Sequence, residues 1–564
     1  MSSRYRLFFA GLMLWPCCAW PQAVVAPVPG SAFAPLGAAA GAAAIAPLSV
    51  AAPAVLPTAL PALSGDLRLA QRVIETLGSD RFEGRAPGTR GGELAEAYVR
   101  DFYKRYGMAP EKGKDYLQPV KLKGYTAQGF SIDDGRQTLE FEKDVAGTYA
   151  ADEKEFDLSA EAVFVGFGIK TPIWDWDDFK DADVKGKLII ARVNDPGLYD
   201  ETIFEGKTLT YFGRWTYHVE EALRRGAAGI LLIHTDATAG YGWEVVKNSW
   251  GAEALLLPED ANNPLKFRGW VQEKSLERML SAHGVDLQKL YEASSSRDFR
   301  PVPLGFSLRV KGKQALRELT AHNVVAEIPG KVKERIVLSA HIDHLGKKGD
   351  KIFNGAIDNG SAVAAMLMLA KELQEHQKDL YYTVTVLASE AEEAGLLGSR
   401  QYARSTDRDT VVANINFEST PVWEKAKSIM GVGARYSTLE DSLKSVASKR
   451  GWDYSEFSLV DQGFFYRADQ FSFARAGIPS LWISAGEDDL SGQRKYSKFW
   501  KTDYHTPKDR FDPQWPLGGL EQTVEAAQSL IDELGRTHIR PQWKGEPPFP
   551  MDGVGIKMDS VRTP

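Results

Sequence analysis

The chain has 564 residues, of which 43% are hydrophobic and 25% are charged, and its formal net charge is −7. This length and composition are typical of a globular protein with more than one domain. The mild negative charge, without a basic stripe carrying interleaved aromatic residues, gives no reason to expect nucleic acid as a partner.

The first residues are typical of a secretory signal. Arg4 and Arg6 precede the apolar run Leu7–Trp15, which supplies the charged and the hydrophobic regions of a signal peptide. We therefore predict a signal peptide at residues 1–21 and an exported protein, periplasmic or extracellular. The run is short and is interrupted by Pro16, so we expect no stable membrane span.

Both cysteines of the chain, Cys17 and Cys18, lie in or beside this segment. A mature form cleaved after them would have neither a thiol nor a disulfide. Any metal site in that form must therefore use histidine and carboxylate ligands.

Composition divides the rest of the chain into segments. Residues 22–65 are dominated by Ala and Pro and predict a linker. An amphipathic helix begins near Asp66, and a glycine-rich loop and a second helix, from Glu93 to Tyr106, follow. We predict one α/β domain formed by residues 66–145 and 313–545, an inserted β-rich domain at 146–312, and a C-terminal tail at 546–564.

The apolar run Arg335–Ala340 predicts a strand that ends at His341 and Asp343. In α/β proteins the carboxyl ends of such strands usually carry the chemistry. Residues i and i+2 of an extended segment lie on one face, so Asp343 can orient the imidazole of His341, which is the usual support for a metal-bound histidine.

Asp358 stands just before the run Ser361–Leu373, which is rich in helix formers and apolar nearly all round. This pattern predicts a buried helix. We expect Asn359 or Ser361 to be its cap.

Further acidic and histidine side chains follow later elements. A buried strand over Tyr382–Ala388 and another over Val411–Phe417 are each followed by glutamates, and a loop histidine comes much later; these residues are Glu390, Glu392, Glu393, Glu418 and His505. Together with His341 and Asp358, these residues supply more ligands than one metal ion needs, and their number suits two metal ions. Adjacent residues of an extended turn point to different sides, so one of the paired glutamates can hold a metal while the other holds a water.

Each feature also has a purely structural interpretation. His341 could be a hydrogen-bonded structural histidine, Asp358 a helix cap and His505 a turn residue, and the glutamates could form a solvated cluster. Their co-occurrence at successive strand ends favours the metal hypothesis. The sequence has no His-Glu-x-x-His helix, no phosphate-binding Gly-x-x-x-x-Gly-Lys-Ser/Thr loop and no Gly-x-Ser-x-Gly elbow.

The motif series resembles the zinc-dependent M28 peptidases, which are di-zinc exopeptidases with a doubly wound, mixed α/β sheet. The motifs that carry the resemblance are Ala340–Asp343, Gly355–Ser361, Ala391–Ser399, Ile415–Glu418 and Asp503–Pro507. Glu83–Gly92 also resembles the N-terminal segment of this family. The insertion at 146–312 resembles a protease-associated (PA) domain.

The resemblance implies two Zn²⁺ ions per chain and a cis peptide bond between Asp358 and Asn359. This chain departs from the family pattern at one position, because many relatives carry Asp where it has Glu418. The implied roles are His341 and Glu418 on one zinc, Asp358 bridging, Glu393 and His505 on the second zinc, Glu392 as general base, Asp343 as support for His341, and Tyr504 as oxyanion stabiliser.

The resemblance therefore predicts an exported di-zinc aminopeptidase that hydrolyses N-terminal residues from peptides. The segment Phe464–Gln470 resembles a loop that lines the substrate pocket. Its aromatic residues would favour a substrate with an apolar side chain, but they could equally be part of the core. Two alternatives stay open: a non-catalytic binding protein on the same scaffold, and a zinc carboxypeptidase or glutaminyl cyclase-like enzyme. The sequence does not give the oligomeric state.

Overall fold

The structure is a computed structural model that describes residues 65–551 except 112–114, 241 and 252. The predicted signal peptide, the linker up to residue 64 and most of the predicted tail lie outside these residues. Over the described part of the chain, no helix combines the length and the hydrophobicity that a membrane span needs.

Helices and strands alternate along most of the chain. The helices are α1 (Gly65–Leu77), α2 (Arg90–Arg105), α3 (Trp215–Arg224), α4 (Asp236–Ala239), α5 (Trp243–Trp250), α6 (Glu273–Ala282), α7 (Leu287–Ser294), α8 (Ala362–Glu375), α9 (Leu397–Ser405), α10 (Leu439–Arg450), α11 (Gln470–Arg475), α12 (Lys495–Thr502) and α13 (Gly518–Thr537).

The strands of the first half are β1 (Ala109–Pro110), β2 (Leu117–Asp133), β3 (Thr138–Glu140), β4 (Val145–Tyr149), β5 (Glu155–Phe164), β6 (Lys170–Thr171), β7 (Trp176–Asp177), β8 (Leu188–Arg192), β9 (Gly229–His234), β10 (Glu253–Leu256) and β11 (Phe267–Gln272). Those of the second half are β12 (Val302–Ile328), β13 (Val332–His341), β14 (Lys347–Lys348), β15 (Lys351–Ile352), β16 (Tyr382–Ser389), β17 (Val411–Asn416), β18 (Ser428–Val432), β19 (Asp453–Ser455) and β20 (Ser480–Ala485).

Among the described residues, sixteen of these strands form one mixed sheet, whose main path runs β19-β18-β20-β17-β13-β16-β12-β5-β8-β9-β11-β4. Strands β16, β13, β17 and β20 are parallel neighbours. Strands β5, β8, β9 and β11 form a second parallel set. The long strand β12 joins the two sets, because it pairs antiparallel with β16 near its end and with β5 near its start.

The first parallel set is buried on both faces. Every residue of β16 and β17 is buried, as expected for parallel strands covered by helices. Helix α8 packs on this set and contacts α1 and α13, and its Ala, Leu and Met side chains lie in the same core. The site described below lies at the carboxyl ends of these strands.

The sequence predicted these elements closely. The predicted strands at 335–340, 382–388 and 411–417 correspond to β13, β16 and β17, and the predicted buried helix corresponds to α8. Of the two predicted caps, Ser361 occupies the N-cap position of α8. Ser361 precedes α8 but its side chain does not cap it; the hydroxyl donates instead to the carbonyls of Ile357 and Thr420, at 2.8 Å each.

The segment predicted as a β-rich insertion contains the helices α3 to α7 as well as strands. Its parallel strands require crossover connections, which helices provide. The sheet continues from this segment into the rest of the chain through β12, so a separate domain at 146–312 stays a prediction.

We expect Gly398→Ala to destabilise the fold. A Cβ atom at Gly398 would lie 2.2 Å from the carbonyl oxygen of Glu390 and 2.3 Å from Oδ1 of Asn323. Replacing glycine by alanine within a helix stabilises the helix by about 1 kcal/mol. Overpacking of this kind, however, lowers the stability of the fold by about 1–3 kcal/mol. Urea unfolding followed by circular dichroism should therefore show a lower midpoint than the wild type.

Gly242→Ala is the matched control, because among the described residues that are not its chain neighbours the added Cβ would approach only Oδ1 of Asp236, at 3.9 Å. Equal midpoints for the two variants would contradict the close approach at Gly398.

Candidate metal centre

Three neighbouring strands deliver the candidate residues to one edge of the sheet. His341 is the last residue of β13, the paired glutamates follow β16, and Glu418 follows β17. These strands are parallel, so their carboxyl ends lie side by side. The structure thereby brings together all the ligand positions that the resemblance implies, with Asp358 from the turn before α8 and His505 from the turn after α12.

The carboxylate of Asp358 lies between two histidines. Its Oδ1 is 3.4 Å from Nε2 of His341, and its Oδ2 is 3.3 Å from Nε2 of His505. The side chain is buried. Burial alone raises the pKa of Asp358, but the facing histidines outweigh burial and hold the pKa well below its usual range. This geometry suits a carboxylate that binds two cations at once.

Each histidine faces a further carboxylate. Oε1 of Glu418 lies 3.4 Å from Nε2 of His341, and Oε2 of Glu393 lies 3.1 Å from Nε2 of His505. Burial lowers the pKa of His505, but the charge of Glu393 outweighs it and raises the pKa to about 9. Burial raises the pKa of Glu418 to about 7, against the opposing charge of His341.

Glu392 lies beside the first histidine. Its Oε2 is 3.8 Å from Nε2 of His341. Burial raises the pKa of Glu392 well above its usual range, and the charges of Glu418 and Glu393 add to the effect, whereas His341 opposes it. A carboxylate of raised pKa is a stronger base than one in water, which is the property that a general base requires.

The structure corrects the expected contact of Asp343. Nδ1 of His341 lies 3.1 Å from the main-chain oxygen of Asp343 and 3.7 Å from its Oδ1. The carboxylate accepts hydrogen bonds from the main-chain N–H groups of Glu392 and Glu393, at 3.0 and 3.3 Å. Asp343 therefore holds the imidazole through its carbonyl and the glutamate loop through its side chain.

His344 was not predicted to belong to the site. Its Nδ1 lies 2.7 Å from Oε1 of Glu393 and 3.7 Å from Oδ2 of Asp358. The alternation of a strand groups His341 with Asp343 and does not include His344, because β13 ends at His341. The spacing His-x-x-His was the signal available.

Arg85, from the glycine-rich loop before α2, is fully buried beneath the site. Its guanidinium donates to the carbonyl oxygens of Leu77, Ile342, Asn354, Gly355 and Asp358, at 2.7, 2.7, 2.6, 2.9 and 3.5 Å. Burial lowers the pKa of Arg85, and the charge of Asp509 opposes this. One side chain thus ties the loop after β13 to the turn that carries Asp358.

Asp509 fixes the same turn from the other side. Its two carboxylate oxygens accept hydrogen bonds from the main-chain N–H groups of Ile357 and Asp358, at 2.8 and 2.9 Å. The following peptide bond, between Asp358 and Asn359, is cis, as the resemblance implied. The sequence carries no local pattern that pairs position 509 with position 358.

Tyr504 stacks on His505, with ring centroids 3.8 Å apart, and lies 4.6 Å from the ring of Trp500. Burial raises the pKa of its hydroxyl well above the usual value, so the hydroxyl stays protonated. Phe464 contacts Trp500 at 4.7 Å, so the predicted aromatic loop lies near Tyr504.

The residues of the site fit divalent metal ions. Two groups each have ligand atoms within 4.8 Å of one another: His341, Glu392 and Glu418, and His344, Asp358 and Glu393. Oδ2 of Asp358, Oε2 of Glu418 and Nε2 of His505 are buried without a hydrogen-bond partner, which a bound cation would supply. Histidine and carboxylate donors suit Zn²⁺.

Comparison with known proteins agrees with this geometry. Residues 323–528 match the model of peptidase family M28. The chain is 25% identical over 238 residues to aminopeptidase YwaD of Bacillus subtilis, covering 41% of this chain and 48% of that protein. It is 28% identical over 187 residues to leucine aminopeptidase 1 of Coccidioides posadasii, covering 30% of this chain and 47% of that protein. These alignments span about half the length of the relatives.

Similarity of fold extends further than similarity of sequence. The solved structure of an aminopeptidase from Aneurinibacillus sp. strain AM-1 aligns with a TM-score of 0.50 at 18% identity, covering 86% of this chain and 96% of that one. The large mixed sheet is therefore the fold of a known aminopeptidase structure.

We expect Arg85→Lys to destabilise the protein. Lysine carries one ammonium with three donors, so it cannot satisfy the five carbonyl oxygens that the planar guanidinium reaches. Each buried carbonyl left unsatisfied costs about 1–3 kcal/mol. Thermal unfolding should show a clear drop in Tm. The exposed Arg81, four residues earlier, gives the control Arg81→Lys, and an equal Tm for both variants would contradict the role of Arg85.

Proposed function

We propose that this chain, whose residues 323–528 match the model of peptidase family M28, is a di-zinc aminopeptidase that removes N-terminal residues from peptides. The observation that carries the proposal is the Asp358 carboxylate, whose two oxygens face His341 and His505, with Glu392 beside them. Two cations would use every group of this arrangement.

We assign His341 and Glu418 to one ion, His505 and Glu393 to the other, and Asp358 to both. Two such ions, when bound, would polarise the scissile carbonyl and lower the pKa of the attacking water. Glu418 is one methylene longer than the usual Asp, and its Oε1 nevertheless lies 3.4 Å from Nε2 of His341, which supports its role as a ligand.

Glu392 has the task of moving the proton. Its raised pKa allows it to take a proton from the attacking water and to pass that proton to the leaving amine. Its main-chain N–H is held by the carboxylate of Asp343, which keeps the side chain in place while it gains and loses the proton.

Tyr504 is proposed to donate a hydrogen bond to the oxygen that becomes negative as water adds to the carbonyl. The stacking of its ring on His505 would hold the hydroxyl beside the metal centre. The aromatic side chains Phe464 and Trp500 nearby favour a peptide with an apolar N-terminal residue, and one relative is named a leucine aminopeptidase.

We also propose that residues 146–312 act as a PA domain that positions the peptide. This segment meets the candidate catalytic region through aromatic contacts, with the ring of Tyr211 5.1 Å from Phe471 and 5.7 Å from Tyr466. Arg435 and Glu205 form an ion pair at 2.5 Å across the same contact. Export of the protein is a further proposal, which rests on the signal-like sequence at residues 1–21.

We expect Glu392→Gln to keep its bound zinc but to lose activity about 10²–10⁴-fold, because glutamine cannot accept the proton. Glu390→Gln is the matched control. Glu390 is fully buried and two residues from Glu392, and its Oε2 accepts a hydrogen bond from the main-chain N–H of Ala391 at 3.1 Å, which an amide oxygen can also accept. Hydrolysis of aminoacyl amides and metal content should be measured on both variants.

Substantial activity in Glu392→Gln would remove the residue from its assigned role. Hydrolysis of N-blocked substrates would favour the carboxypeptidase-like alternative. A lack of turnover even with zinc supplied would favour the non-catalytic alternative.

We expect Glu418→Ala to lower the zinc content from about two ions per chain to about one, because one ion loses its only ligand apart from His341 and the shared Asp358. Atomic absorption on dialysed protein measures this content. An unchanged content would show that another side chain holds the first ion. Glu375→Ala, on the exposed end of α8, is the control.

A further inference from the structure

A second crevice lies at the carboxyl ends of the other parallel strand set. It is a cavity of about 410 Å³, within the size range of ligand sites. Arg192 and Val193 line it from the end of β8, Ile233 and Thr235 from the end of β9, and Glu273 from the residue after β11. Ligands of open α/β sheets bind at this position. None of these residues takes part in the metal centre.

Arg192 is a buried cation, 5% exposed. Its guanidinium lies over the rings of Phe167, Tyr199 and Tyr291, at 4.2, 4.5 and 4.5 Å from their centroids. Its Nη1 donates to the main-chain oxygen of Tyr291 at 3.2 Å and to Oγ of Ser294 at 3.0 Å.

Across the part of the chain that the structure describes, no carboxylate forms an ion pair with this guanidinium. Buried charges are normally paired. An arginine that lines a cavity without an ion-paired carboxylate can bind an anion there. The planar arrangement of its N–H donors suits a carboxylate.

Glu273 supplies the opposite charge on the same cavity. Its Oε1 accepts a hydrogen bond from the hydroxyl of Tyr291 at 2.9 Å. Among the described residues no Lys, Arg or His pairs with it. Arg192 contacts the face and backbone of Tyr291, and Glu273 contacts its hydroxyl, so a cation and an anion flank one aromatic side chain.

We propose that this cavity binds a free α-amino acid. The ligand's carboxylate would bind the guanidinium of Arg192, its ammonium would bind the carboxylate of Glu273, and an apolar side chain would pack on Val193, Leu198 and Ile233. A zwitterion satisfies both charges at once, whereas a simple anion or cation would leave one of them uncompensated.

The binding proposal rests on no step at the metal centre. If the chain is the aminopeptidase proposed above, the ligand belongs to the class of molecule that the reaction releases, and the cavity is a product-sensing site on the segment that we assign to positioning the peptide. A protein without peptidase activity would therefore still be expected to bind the amino acid. A failure to bind the amino acid would likewise leave the proposed peptidase activity unaffected.

Isothermal titration of the complete chain with free leucine, N-acetyl-leucine and leucinamide tests the proposal. Free leucine should bind, and each blocked form should bind about tenfold more weakly or worse, because one charge-assisted hydrogen bond is lost. Glu273→Gln should weaken leucine about tenfold while it preserves the contact with Tyr291, since an amide oxygen also accepts a hydrogen bond. Arg192→Met should abolish binding.

Two controls separate the sites. Arg309→Met removes an exposed arginine that pairs with Asp157 in the same segment, and it should leave leucine binding unchanged. Glu418→Ala alters the metal centre and should also bind leucine at the cavity. Leucine binding to Glu273→Gln as tight as to the wild type, binding of N-acetyl-leucine as tight as that of leucine, binding that disappears in Glu418→Ala, or no binding of any amino acid would each overturn the proposal.

Discussion

The buried guanidinium of Arg85 is the contact on which the geometry of the metal centre depends. It donates to carbonyl oxygens of three separate chain segments, at the end of α1, after β13 and in the turn that carries Asp358. These carbonyls lie at the end of a helix or in loops, where regular secondary structure leaves main-chain acceptors to be satisfied. Its positive charge also lies beneath a cluster of carboxylates, including Asp358 and Asp509, and offsets part of their repulsion.

That repulsion is the second constraint on the site. Acidic side chains and histidines crowd at one edge of the sheet, and their pKa values move apart: those of Glu392 and Glu418 rise, whereas that of Asp358 falls. The separation follows from what each group faces. Asp358 faces two histidines, while Glu392 faces other carboxylates in addition to one histidine. Asp358 and Glu392 are both carboxylates, but their different surroundings suit the first to bind metal ions and the second to act as a base.

The sheet gives the molecule two crevices rather than one. Strand β12 runs antiparallel to β16 near its end and to β5 near its start, so both parallel sets run opposite to the strand that they share. Each set places its functional residues at its carboxyl ends, with the metal centre on one and the cavity around Arg192 on the other. The shared strand is the covalent and hydrogen-bonded link between them.

The sequence by itself determined the strands β13, β16 and β17, the helix α8 and the acidic and histidine residues that follow them, because hydrophobic periodicity and strand ends are local properties. The sequence also carries the motifs that resemble the M28 family, and this resemblance implied the cis peptide bond between Asp358 and Asn359. Only the tertiary structure decided which groups meet. The carbonyl contact of Asp343, the place of His344 beside Glu393 and the carbonyl contacts of Arg85 depend on loops that are distant in sequence, and no local pattern encodes contacts of that kind.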